Sequence, residues 1–310
     1  MSQLGPAIFA ARDVPLGGLR AMNVRRSLPQ RGLPTIGAWC FLDRFGPQAV
    51  VMRVEPHPHV GLQTVTWPLV GEVRHRDTLG NDVNLRAGEL NLMTSGHGIA
   101  HSEYSLGGAP VTLDALQLWI ALPESRRHGE PAFERHTELP TVELPAVAGP
   151  SATATVVMGV FAGTTSPATT YSPLVGAQIV LPAGSTVVLP LQPAWEHGMV
   201  IIDGDMSPRS DVQLPIPAPG ELLYLPTGLD EVAVSSVGGA TLFLLGGEPL
   251  ADNLVMWWNF VARTHEEIVQ AWTEWEANGA RFGRVAGHGD VRTPAPPLPT
   301  VRLLPRRREG

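Results

Sequence analysis

Glycine and proline recur along this chain at about the spacing of one β-strand, and that punctuation restricts its fold more than any other feature. With 33 Gly and 30 Pro among 310 residues, uninterrupted runs long enough for helices are scarce, whereas short strands survive easily. From about Arg20 to Leu122 the pattern repeats. "GLQTVTWPLVG" alternates polar and apolar residues and stops at Gly71. "EVRHRDTLGND" turns at Gly80-Asn81, "LRAGELNLMTSGHG" hinges on Gly88 and Gly96, and "TLDALQLWIAL" is strongly apolar. Strands in series without helices between them predict an antiparallel barrel or sandwich.

A second series follows: "ATVVMGVF", "GAQIVLPAG", "STVVLPLQ", "HGMVIIDGDM", "GELLYLP", "EVAVSSV" and "ATLFLLGG". The two halves share a rhythm, since "PLVGEVRH" then "RAGELNLM" resembles "VIIDGDMS" then "APGELLYLP". This reads as two copies of one small β-barrel. The expected boundaries are 1–136 for the first unit, 137–151 for a three-proline connector, 152–290 for the second unit and 291–310 for a flexible tail. One helix stands out in "RTHEEIVQAWTEWEANG". Thr264 and Glu267 form a capping box, Ile268, Ala271, Trp272 and Trp275 follow at helical spacing, and Asn278-Gly279 supplies the stop. Its stripe is expected to pack on a barrel.

Composition narrows the function classes. A hydrophobic fraction of 44% against 16% charged residues supports a large core. The net charge of −7 argues against general binding to nucleic acid or anionic lipid. The lone Cys40 has no disulfide partner and reads as a small buried hydrophobe suited to a reducing compartment. The opening residues lack the apolar stretch of a secretory signal, and no run of about 18 apolar residues occurs. A soluble, cytoplasmic protein is expected.

Two dipeptide-spaced couples carry the chemistry. "EPHPHVGLQ" places His57 and His59 on one side of an extended chain, and "GHGIAHSEY" does the same for His101 and Glu103. Three imidazoles and one carboxylate suit a mid-to-late first-row divalent metal and leave coordination positions open for substrate or oxygen. Any one histidine is more often a satisfied core or surface residue; it is the second couple that points to a metal. His97 either gates the pocket or caps its glycine turn, with the loop role first. His75 is expected at the surface beside Arg74 and Arg76, although it lies on a strand where it can orient a ligand.

The stretches "EPHPHVGLQTVTW", "GEVRHRDTLGN" and "MTSGHGIAHSE" resemble the signatures of the pirin family, bicupins of the cupin superfamily. "WWNFVARTHEEIVQAWTEWEANGARFG" is similar to the C-terminal segment of bacterial pirin-like proteins. The resemblance runs from about Arg20 to Gly287. It implies an all-β chain of two cupin-type antiparallel β-barrels with a short C-terminal helix. One mononuclear metal, usually iron, would sit in the N-terminal barrel on His57, His59, His101 and Glu103. Fe(II) is the first expectation, and the same ligands accept Mn, Ni, Cu or Zn.

Where the commonest pirin motif has Arg, Phe and Glu, this chain has Val60, Leu62 and Gln63. Gln63 is expected either to point into the metal pocket, bonding water or substrate there, or to be an interior polar residue bonded to backbone. In the second half "AWEHGMVIIDG" keeps only Glu196 and His197, so that barrel is expected to lack metal. The implied activity is that of a quercetin 2,3-dioxygenase, with a flavonol and O2 as substrates and Glu103 as candidate base. The alternative is a non-enzymatic, iron-dependent regulator that binds protein partners.

Overall fold

The recurrent turn signals become turns between short strands, which assemble into four principal sheets. The computed structural model describes residues 4–16 and 22–306. In the N-terminal half a seven-stranded sheet has the order Ala132–His136, Leu90–Thr94, Leu62–Val70, Val111–Ala121, Trp39–Val50, Met22–Leu28 and Arg12–Leu16. A four-stranded sheet, Arg53–His59, Ile99–Ser105, Glu72–Asp77 and Asp82–Arg86, closes the barrel on its other side. The C-terminal half repeats the plan. Its large sheet includes Glu196–Gly204 between Leu222–Leu225 and Ala240–Gly247, and its four-stranded sheet is Ala146–Ala148, Thr186–Pro190, Glu231–Ser235 and Ser207–Arg209.

The rhythm shared by the halves has a backbone cause. Gly71 and Gly204 occupy corresponding turns with φ of 86° and 79°. A Cβ would lie 2.4 Å from the Thr112 carbonyl oxygen at the first and 1.9 Å from that of Gly239 at the second. Glycine is required at both.

The two large sheets pack face to face, and strand alternation decides what lies between them. Val65, Trp67, Leu116 and Leu118 from the first half meet Val200, Leu222, Phe243 and Leu245 from the second in one core. Three polar contacts align the faces. Trp67 Nε1 donates to Gln178 Oε1 at 2.7 Å, Trp39 Nε1 to the Val175 and Gly246 carbonyls at 3.1 Å each, and the buried Arg44–Asp114 pair sends Nη1 to the Ile202 carbonyl at 2.5 Å. Residues on the opposite face, among them Thr64, Thr66, Gln117 and Trp119, look into the N-terminal barrel.

All four expected segments need correction. The connector at 137–151 contributes strands Thr141–Leu144 and Ala146–Ala148, each at the edge of a C-terminal sheet. Edge positions tolerate the neighbouring prolines, so those prolines did not mark a linker. The second unit does not run to 290: beyond Gly247 the chain returns to the first barrel. Phe260, Ala262, Ile268, Ala271, Trp275 and Phe282 pack there against Val60 and Ala100. Helix His265–Glu276 carries the expected capping box.

Nor is the described part of the tail loose. Thr293 N–H donates to the Pro56 carbonyl at 2.8 Å, and Trp275 Nε1 and Trp272 Nε1 donate to the carbonyls of Thr293 and Pro296. Its last four residues lie outside the described residues. Strand Ala7–Phe9, expected with the first unit, instead pairs with Leu222–Leu225 of the second. No described helix is long and apolar enough to cross a membrane.

Candidate metal centre

His57 and His59 end the strand Arg53–His59, and His101 sits opposite His57 on the neighbouring strand Ile99–Ser105. That pairing is antiparallel and shifts register between His101 and Glu103. Pairing with the strand Glu72–Asp77 puts Glu103 beside His75 and His101 beside Asp77. Paired residues share a face, so all these side chains point into the barrel.

The ligand atoms of His57, His59 and His101 lie within 4.8 Å of one another. The Glu103 carboxylate falls in a second, overlapping group with His101 and His75, and it lines the same cavity as the three imidazoles. Thr66 Oγ1 donates to Glu103 Oε1 at 3.3 Å, tying the carboxylate to the large sheet.

Hydrogen bonds assign the nitrogens. His57 Nδ1 donates to the Glu55 carbonyl at 2.9 Å, which leaves Nε2 bare. Asp77, its carboxyl held below the ordinary range by hydrogen bonds from His75 and Asn81 that outweigh its burial, is an acceptor only. It therefore takes the proton of His75 Nε2 at 3.2 Å, and His75 Nδ1 accepts from His101 Nδ1 at 3.3 Å. His101 Nε2 is then unprotonated too and accepts from His59 Nε2 at 3.1 Å. His59 Nδ1 is buried with no hydrogen-bond partner.

Burial pushes His57 down to about 4 and holds His59 and His101 well below the ordinary imidazole range, with each other's charge adding to the effect. The rings are neutral near pH 7, the state that ligates metal. Three neutral imidazoles with ligand atoms within 4.8 Å of one another, one of them with an orphaned ring nitrogen, form a ready set of metal ligands. The donor set fits a divalent metal ion.

Two single-residue expectations change, those for His75 and Gln63. His75 is buried: the alternation that exposes Arg74 on this strand turns His75 inward, where it stacks on Phe133. Gln63 does not face the imidazoles. The turn at Val60-Gly61 resets strand parity, so Gln63 lies with Val65 and Trp67 on the interdomain face and donates to Thr94 Oγ1 and the Thr169 carbonyl. His97 is a loop residue outside the cavity, with Nδ1 at 3.1 Å from the Gly129 carbonyl and its own carbonyl accepting from Arg281 Nε. Cys40 is fully buried and its thiol is pushed up to about 12, so it is no nucleophile.

The imidazoles open onto a cavity of about 900 Å³. One wall is the stacked Phe41–Trp119 pair, centroids 4.0 Å apart, and another is Trp257, Trp258 and Asn259 from the hairpin of strands Val255–Trp257 and Phe260–Ala262. Sequence reasoning assigned none of these a role. Their only local signal was aromatic content, which core residues share.

The pirin family model matches residues 21–120, and that of the pirin C-terminal cupin domain matches residues 176–283. A Pseudomonas aeruginosa protein provisionally named a quercetin 2,3-dioxygenase is 42% identical over 293 residues, covering 93% of this chain and 89% of the relative. Human pirin is 30% identical over 252 residues, covering 80% and 84%. The crystal structure of quercetin 2,3-dioxygenase from Acinetobacter baumannii superposes with a TM-score of 0.87 at 36% identity, covering 96% of this chain and 98% of that one. Two cupin barrels, an imidazole cluster in the first and similarity along nearly the whole length agree: the chain belongs to the pirin family.

Proposed function

We propose that the protein is a metal-dependent dioxygenase of the quercetin 2,3-dioxygenase type, opening a flavonol with O2 and releasing carbon monoxide. The observation that carries this reading is the position of the imidazole cluster. It lies at the wall of a cavity whose volume and aromatic lining suit a flat polycyclic ligand. The names of the Pseudomonas relative and the Acinetobacter structure support it.

His57, His59, His101 and Glu103 are the proposed ligands, with Fe(II) as the first candidate and Mn, Ni, Cu or Zn as alternatives. A divalent ion held there would act as a Lewis acid, lowering the pKa of the flavonol hydroxyl and bringing both substrates into one coordination sphere. The protein's own part is positioning and proton transfer. Trp119 and Phe41 present a stacked face along which the flavonol rings lie. Burial raises the Glu103 carboxyl above its ordinary range. That makes it a better base for the 3-hydroxyl proton once it swings off the metal, at the oxygen not engaged by Thr66. Trp257 and Trp258 exclude water from the bound ring.

Purified, iron-loaded protein should bleach quercetin under air with release of carbon monoxide. Protein with full metal occupancy that leaves the quercetin spectrum unchanged would contradict the reading.

A further inference from the structure

The cavity is polarised along its length. At the inner end Trp119 meets the His59 ring edge-on at 5.2 Å; Trp119 stacks on Phe41, and the Arg26 guanidinium lies 4.4 Å above the Phe41 ring. One wall thus runs from the imidazole cluster over two aromatic rings to a group of cations. Arg26 itself is neutralised, donating from Nε and Nη2 to both oxygens of Asp43 at 2.8 and 2.7 Å. Arg53 is likewise paired with Glu55 at 2.7 Å.

Arg306 differs. It lines the same cavity, and its guanidinium pairs with no carboxylate among the described residues. Arg12, outside the cavity lining, places one donor on the Pro29 carbonyl at 2.8 Å and forms no ion pair within bonding distance among the described residues. Partial burial, with Arg12 and Arg26 nearby, lowers the pKa of Arg306, as expected of a cation beside other cations. This positive mouth belongs to a chain of net charge −7, so it is no by-product of a basic protein.

We propose that the cavity mouth is an anion subsite. The cavity takes a planar aromatic ligand carrying a fixed oxyanion, such as a carboxylate, at the end remote from the imidazoles, and Arg306 binds that group. The inference rests on reading the cavity as the substrate site and narrows the substrate class. A guanidinium matches a carboxylate through two parallel N–H donors. Because Arg306 is partly exposed, the gain is moderate and sensitive to salt.

The test compares naphthalene-2-carboxylate with the isosteric naphthalene-2-carboxamide. Each is titrated by tryptophan fluorescence into the full-length protein, both as isolated and after chelation of metal. The carboxylate should bind about tenfold tighter at low salt, with the preference surviving chelation and shrinking as salt rises. Naphthalene-2-sulfonate should share the preference if the subsite reads the oxyanion, and a deficit there would assign it to carboxylates. Arg306→Gln should remove most of the preference, leave carboxamide affinity unchanged and leave the melting temperature within error.

Equal affinity of the two probes, an undiminished preference in R306Q, or a preference abolished by chelation would each overturn the anion subsite while leaving the aromatic cavity intact. Failure of both probes to bind would overturn the subsite and the substrate-site reading together.

Discussion

The strand pair that carries imidazoles in the N-terminal barrel carries aliphatic side chains in the C-terminal one. In the first, His57 lies opposite His101 across strands Arg53–His59 and Ile99–Ser105. The topological counterparts are Thr186–Pro190 and Glu231–Ser235, where Val187 faces Val234 and Leu189 faces Val232, all fully buried. Those four side chains help fill the second barrel with a continuous core. The scaffold is one. What differs is whether its interior is packed or left as a cavity lined by imidazoles and aromatic rings.

Glu196 and His197, the part of the first motif that the second half keeps, show the same division. They begin the strand that corresponds to Leu62–Val70 rather than the histidine strand. Glu196 accepts the Gly37 N–H at 3.0 Å and the Tyr224 hydroxyl at 3.1 Å, so it ties the two halves together.

Exchanging functions between the barrels is the direct way to break this comparison. His101→Ala should reduce metal affinity by more than the roughly 100-fold that marks loss of an outer partner, with the β circular-dichroism spectrum kept. Leu189→Ala in the second barrel should instead cost about 2–5 kcal/mol of stability by urea titration and leave metal stoichiometry unchanged. If Leu189→Ala also released metal, the barrels would not be functionally separable.

A smaller effect is expected one step out from the centre. Asp77→Asn removes the charged acceptor that orders His75 and, through it, His101. Metal affinity should fall about 10- to 100-fold, measured by competition with a chelator. Retained affinity would show that His101 is oriented by packing alone.

The smallest effect is in pH. In the metal-free protein His57, His59 and His101 bind fewer protons folded than unfolded below the ordinary imidazole range. Stability should therefore fall as pH drops from about 6.5 towards 4, by on the order of 1 kcal/mol per pH unit per histidine. Glu103, with a raised pKa, has the opposite sign and loses its contribution as pH rises. The second barrel has one such histidine, His197, pushed down to about 4 by burial. His57→Asn should flatten the acid limb, and His197→Asn should do so by a similar increment.

Legibility in the sequence followed the range of the forces involved. Strand patterning, the glycine turns and the capping box are local, and "PLVGEVRH" and "VIIDGDMS" announced their equivalence through Gly71 and Gly204. The couples His57/His59 and His101/Glu103 were visible because alternation within one strand fixes a shared face. Alternation failed once it was carried across the turn at Gly61, which is why the pocket-facing reading of Gln63 fails. His75 was misjudged from its charged neighbours, although those neighbours, pointing outwards, are what turn it in. The return of residues 248–306 to the first barrel depends on contacts such as Thr293 with Pro56 and Phe260 with Val60. No segment of the chain contains both partners of such a contact.

The most direct single test is anomalous diffraction from crystals of the metal-loaded protein. One peak per chain should stand at bonding distance from the side chains of His57, His59, His101 and Glu103, with the second barrel empty. A peak elsewhere, or no ordered metal in protein of verified metal content, would contradict the account.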